Sequence, residues 1–283
     1  MKKIRLTECP RDAMQGLHNF VPTDVKAEYI NRILRCGFDT VDFGSFVSPK
    51  AIPQMQDTAS VLDKLDLAAT SSKLLAIIAN LRGAEEAVQH NGITYLGFPF
   101  SISETFQMRN TNSSIEDSFI TVDKIQNLCE QRGKKLRVYL SMGFGNPYGD
   151  DWSIDILQHW ANKISATGVR DIYLSDTVGI ATSQQISEVF NKLKSNDDVA
   201  FGAHLHSTPD TWYDKIDAAY QAGCRSFDSA IKGYGGCPMA KDVLTGNIAT
   251  ENVLGYLQER KLDTGVDMER FANAMAYAGE VFA

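Results

Sequence analysis

The chain has 283 residues, 43% of them hydrophobic, which is enough apolar surface for one large core or two small ones. A formal net charge of -7 and an isoelectric point near 5.3 exclude the basic face that nucleic-acid binding needs. Five widely spaced cysteines without a CxxC pair (Cys9, Cys36, Cys129, Cys224 and Cys237) exclude a disulfide framework, and no signal-peptide or membrane-spanning run is present, so a cytoplasmic protein is expected.

Short β-rich runs alternate with longer amphipathic stretches along the chain. The spacing predicts strands over 4–8, 38–43, 73–79, 93–98, 136–142, 171–175, 200–204 and 225–230. Several, such as LLAIIA, are almost continuously apolar, as strands buried on both faces are. Helices are predicted over 24–36, 55–65, 81–90, 114–131, 154–167, 183–193 and 209–222. Gly37, Gly92, Gly133, Gly168 and Gly223 stand where helix-ending glycines belong. Ser114-x-x-Asp117 reads as a helix start.

Eight such units close a barrel or wind a doubly covered sheet. The count of eight, and the lack of GxGxxG after the first strand, select a single (β/α)8 TIM-barrel domain spanning 1–283. Residues 1–246 form the barrel in this reading. A C-terminal extension, 247–283, adds helical patterns at 250–260 and 267–282, which pack beside the barrel or as a lid.

The chemically capable residues fall at carboxyl ends of strands, which share one face of a barrel. Arg11-Asp12 follows the first strand and Asp42 ends the second. Ser103-Glu104 lies beyond the fourth, Asp176-Thr177 closes the sixth, and His204-Leu205-His206 closes the seventh. GYGGCP, with Cys237, follows the eighth, and Asn247 lies beyond it. His204 and His206, two apart on a strand, point to one side. With Asp12 and Asn247 they form a candidate cage for a divalent metal. Two nitrogens plus oxygens suit Mg²⁺ or Mn²⁺ better than Zn²⁺, which prefers thiolates or a third histidine. Arg11 can hold a carboxylate or enolate oxygen through its fork of donors, or form a surface ion pair. Cys237 in its glycine-rich loop is a candidate reactive thiol. Asp176 and Thr177 serve equally well as helix caps or as orienting groups. Ser103, Glu104 and Asn110 read as turn and cap chemistry.

The segments PRDAMQ, SFVSPKAIPQM, SETFQMRNTNSSIEDSF, DTVGIAT, HLH, GYGGCPMAK and GNIATENV resemble the 3-hydroxy-3-methylglutaryl-CoA lyases, over nearly the whole chain and in the same order. These belong with the DRE-TIM metallolyases, whose synthase members lack the SFVSPK, SETF and GGCP blocks. The resemblance implies a carbon–carbon lyase that yields acetyl-CoA and acetoacetate with Mg²⁺ or Mn²⁺. It implies a small acyl-CoA substrate, a homo-oligomer (a dimer), and no nucleic-acid or membrane partner. Asp12, His204, His206 and Asn247 match the family's metal ligands. Arg11 matches the arginine that steadies the enolate, Cys237 the mobile-loop acid/base, Asp176 a carboxylate needed for activity, and Ser45 and Asn110 substrate contacts. The candidate catalytic set is therefore Arg11, Asp42, Asp176, His204 and Cys237, with Arg11, Ser45, Asn110 and Thr177 on the substrate.

The chain departs from the pattern at the rim. Asp42 replaces a glutamate, Asn146-Pro147-Tyr148-Gly149-Asp150 replaces CPYEG, His18 a lysine, Tyr173 a serine, and Ser207 an aspartate. A related 3-hydroxyacyl-CoA is thus a second substrate, and a condensing synthase or a non-enzymatic metal-binding barrel are the competing readings.

Overall fold

In the computed structural model, which describes residues 3–193, 198–236 and 245–282, the strands close a parallel barrel in sequence order. They are β1 (Arg5–Glu8), β2 (Thr40–Ser45), β3 (Lys73–Ile77), β4 (Ile93–Ser101), β5 (Lys135–Ser141), β6 (Asp171–Asp176), β7 (Ala200–Leu205) and β8 (Ser226–Ser229). Closure is by β1 pairing both β2 and β8. The helices are α1 (Pro10–Met14), α2 (Thr23–Leu34), α3 (Thr58–Leu62), α4 (Leu81–Ala87), α5 (Glu104–Thr111), α6 (Ile115–Gln131), α7 (Ile154–Ala166), α8 (Ser183–Leu193), α9 (Trp212–Gln221), α10 (Thr250–Glu259) and α11 (Met268–Val281). None of the helices among the described residues is long and apolar enough to cross a membrane.

Two helices were not anticipated. Pro10 opens α1 at a position where its missing N–H costs nothing, so Arg11 and Asp12 ride on a helical turn. Ser103 caps α5 by accepting from the Phe106 N–H, so the SETFQMRN segment is helix rather than turn. Ser114 caps α6 as the motif predicts. Four of the five helix-ending glycines have positive φ, from 65° at Gly133 to 104° at Gly168; Gly92 does not.

The tail does not cover the barrel mouth. α10 packs on α9 in the place after β8, and α11 lies along α2. The Asp267 N–H donates to the Cys36 carbonyl at 2.8 Å, and Phe282 stacks on Tyr234 at 4.2 Å.

Alternate residues of each strand sort into two shells. Val41, Phe43, Leu74, Val138, Leu140, Ile172 and Leu174 join the helices in one continuous core. The interior holds a second cluster of Leu75, Tyr95, Tyr139 and Tyr173. Arg137 lies 4.1 Å from the Tyr173 ring centre and 4.9 Å from that of Tyr95. Tyr173 fits because its neighbour on β7 is Gly202, where a Cβ would sit 2.5 Å from the tyrosine ring.

Candidate active site

His204 lies near the end of β7 and His206 just past it, and the two imidazole ring centres are 5.3 Å apart. α1 brings Asp12 across the mouth. One ligand atom from each of Asp12, His204 and His206 lies within 4.8 Å of the others. Asn247 joins through backbone and side chain. It bridges to His206, and its Nδ2 donates to Asp12 Oδ2 at 2.7 Å and to the Tyr234 carbonyl at 3.0 Å. Both amide protons are thereby used, which leaves Oδ1 as its lone-pair donor.

Each imidazole has a distinct state. His204 Nδ1 pairs with Asp228 Oδ2 at 3.1 Å, so Nε2 is left as the free nitrogen. Burial works against protonation of His204, but Asp228 and Asp12 outweigh it and raise its pKa. His206 is held neutral: burial, then the neighbouring His204, push its pKa down to about 4. Both its ring nitrogens are buried without a hydrogen-bond partner. An unsatisfied buried polar atom costs roughly 1–3 kcal/mol, and a cation held by His206, His204 and Asp12 would give one of the two nitrogens a partner. Burial favours the protonated form of Asp12, yet Arg11 and the two histidines hold its pKa below the usual carboxylate range. A deprotonated carboxylate and a neutral imidazole are what metal ligation requires. The donor set fits a divalent cation.

Arg11 is fixed from three sides. Its Nε and Nη2 bond Asp42, the latter at 2.5 Å, while Nη1 bonds Asp12 Oδ1 at 3.0 Å and Gln15 Oε1 at 2.8 Å. Four of its N–H groups have protein partners, and one on Nη2 remains for a ligand. Burial pushes the Asp42 pKa up to about 6 against the pull of Arg11.

A cavity of about 150 Å³ opens beside these groups, lined by Arg11, Asp12, Ser45, Asn110, Thr177, His204 and His206 together with Val47, Ile52, Ile77, Phe106 and Tyr139. The structure therefore brings together Arg11, Asp12, Ser45, Asn110, Thr177, His204 and His206. Asp42 stands behind Arg11. Asp176 is not among the lining residues: its carboxylate faces Lys215 at 2.6 Å, while Ser175 and Thr177 on either side line the cavity. Cys237 lies outside the described residues.

Sequence reasoning missed Asp228, Gln15 and Lys215. Asp228 sits opposite His204 in the β7–β8 register, so a polar residue in the SFDSA run was the available signal. Lys215 looks like any cation of an amphipathic helix and gave none. The altered NPYGD segment is structural: Asn146 accepts from the Tyr148 and Asp150 N–H groups, and Asp150 accepts from Ser103, Thr105 and the Thr105 N–H at the start of α5. His18 is exposed in an adjoining hollow shared with Gln15, Phe20 and Gln54.

Fold and site together define the class: a (β/α)8 barrel with a candidate divalent-cation site at the mouth of a cavity. The HMGL-like family model matches residues 4–277. A 3-hydroxy-3-isohexenylglutaryl-CoA/hydroxy-methylglutaryl-CoA lyase of Pseudomonas aeruginosa is 32% identical over 96% of this chain and 91% of its own length. A cytoplasmic 3-hydroxy-3-methylglutaryl-CoA lyase of Rattus norvegicus is 32% identical over 94% of this chain and 77% of its own. Among solved structures, an HMG-CoA lyase of Acinetobacter baumannii in complex with coenzyme A and 3-methylmalate superposes with a TM-score of 0.91 at 28% identity, covering 99% of this chain and 91% of that one. The chain belongs to the HMGL-like family, and it is a carbon–carbon lyase of the hydroxymethylglutaryl-CoA lyase type.

Proposed function

We propose that this enzyme cleaves 3-hydroxy-3-methylglutaryl-CoA to acetyl-CoA and acetoacetate, with Mg²⁺ or Mn²⁺ held by Asp12, His204, His206 and Asn247. The observation that carries the reading is the buried, unpartnered His206 imidazole, one nitrogen of which lies within 4.8 Å of ligand atoms of Asp12 and His204, next to the one free N–H of Arg11. When bound, the cation supplies a Lewis acid that eases loss of a substrate hydroxyl proton.

The C3 hydroxyl gives its proton to the Cys237 acid/base, the C2–C3 bond breaks, and C3 becomes the ketone of acetoacetate. The bonding pair passes to C2 as a thioester enolate, and a proton on C2 completes acetyl-CoA. Arg11 donates its free N–H to the enolate oxygen, and because Asp42 and Gln15 fix its plane, no reorganisation is needed as charge develops. Asp42 positions Arg11, and Ser45, Asn110 and Thr177 orient the substrate from the cavity wall. Cys237 is the proton donor by its match to the family motif, and Asp176 acts from outside the cavity. The CoA arm leaves along the hollow at His18, which adjoins the cavity through Gln15, Ala51 and Ile52. The enzyme works in the cytoplasm as a dimer.

The test is acetoacetate release from 3-hydroxy-3-methylglutaryl-CoA with Mn²⁺ or Mg²⁺, then after EDTA, then after metal is restored. Turnover lost and regained in step with the metal supports the proposal. No acetoacetate with either metal overturns it.

A further inference from the structure

Lys215 lies on α9 with only 3% of its surface exposed. It lies outside every motif that marks the site. Its Nζ makes three bonds, one for each proton: to Asp176 Oδ2 at 2.6 Å, to the His206 carbonyl at 2.8 Å and to the Gly179 carbonyl at 2.9 Å. Asp176 in turn accepts from the Ala181 N–H at 3.1 Å. One ammonium thus joins the end of β6, the turn after it and the backbone of His206.

His206 lies past the last residue of β7, and the β6–β7 ladder stops at Asp176 and Leu205. The regular sheet therefore no longer fixes the backbone that aims this imidazole; the isolated bridge to Asn247 and the Lys215 donor to the His206 carbonyl hold it instead. Thr177, next to Asp176, lines the cavity and accepts from the Met142 N–H at 2.8 Å, so the same turn also sets the cavity wall. A buried ion pair is a weak source of stability, because apolar residues of equal volume do as well or better. Its effect here is on geometry.

We propose that Lys215 and Asp176 form one positioning unit that sets the His206 imidazole for the cation, with neither side chain touching substrate. The inference rests on the reading of His206 as a metal ligand. It also gives Asp176 a definite role from outside the cavity.

The experiment is Mn²⁺ titration by calorimetry of wild type, Lys215→Met, Asp176→Asn and the double variant, each verified as folded by circular dichroism. Each single variant is expected to bind Mn²⁺ about 10-fold more weakly, in the range that lost outer-shell support produces. The double variant is expected to match the weaker single variant, because the two residues act as a unit. Should Lys215→Met not fold, Asp176→Asn alone is judged by the same criterion. Wild-type Mn²⁺ affinity in a folded single variant, or losses that multiply in the double, overturn the inference while leaving the cage intact. A wild-type protein that binds no Mn²⁺ overturns the cage and this inference with it.

Discussion

The two faces of the same eight strands follow opposite rules. On β5, Val138 and Leu140 face the helices, while Arg137 and Tyr139 face the barrel axis. On β6, Ile172 and Leu174 face out, while Tyr173 and Ser175 face in. The outer shell is held by volume and apolar area. The inner shell carries charge and polar groups: Arg137 stands 3.2 Å from Asp171 and 3.8 Å from Asp228, and Asp228 pairs with His204. The lesson is that stability and chemistry occupy different sides of one sheet, so each can be perturbed without the other.

The largest effect should come from the outer shell. Ile164, fully buried on α7, belongs to the main core. Ile164→Ala should cost about 2–5 kcal/mol in denaturant unfolding, with Mn²⁺ affinity in the native protein unchanged. A parallel loss of metal binding would show that the shells are not separable. Next is the inner shell. Asp228→Asn leaves volume alone but weakens the hold on His204 Nδ1, and should lower Mn²⁺ affinity about 10-fold with a small change in Tm. Affinity equal to wild type would remove Asp228 from the support of the cage.

The last test probes Glu8, a carboxylate on the outer side of β1. Glu8 is fully buried and accepts only from neutral donors, the Ile231 N–H at 2.8 Å and the Thr250 hydroxyl at 2.5 Å. Burial pushes its pKa up to about 8, against those two hydrogen bonds. The native state thus holds this proton more tightly than the unfolded chain, whose glutamate titrates near roughly pH 4. Stability from this group is full at low pH and declines as pH rises from about 4 to about 8. Between pH 5 and pH 8 the Tm of wild type should fall by a few degrees relative to Glu8→Gln. Parallel Tm curves would contradict the assignment.

Much of this was legible in the sequence. Strand order, closure and the placing of Arg11, Asp12 and the HLH pair at one mouth follow from periodicity and from where polar residues end apolar runs. The α1 and α5 helices were not, because Pro10 and Ser103 occupy positions that suit a turn as well as a first helical turn. Nor were Lys215 and Asp150, since their roles depend on side chains meeting across separate loops. Asp176 shows the limit in another way. Its motif marked a site residue, but only strand alternation settles that it faces α9 while Ser175 and Thr177 face the cavity.

The contact between Tyr173 and Gly202 ties the two positions together. A ring at 173 and a Cβ at 202 cannot coexist at 2.5 Å. With the ring in place any side chain at 202 is excluded, and a methyl group fits there only once residue 173 is made smaller. The interior at this level therefore accepts a change at 173 first, or both changes at once, but not a change at 202 alone.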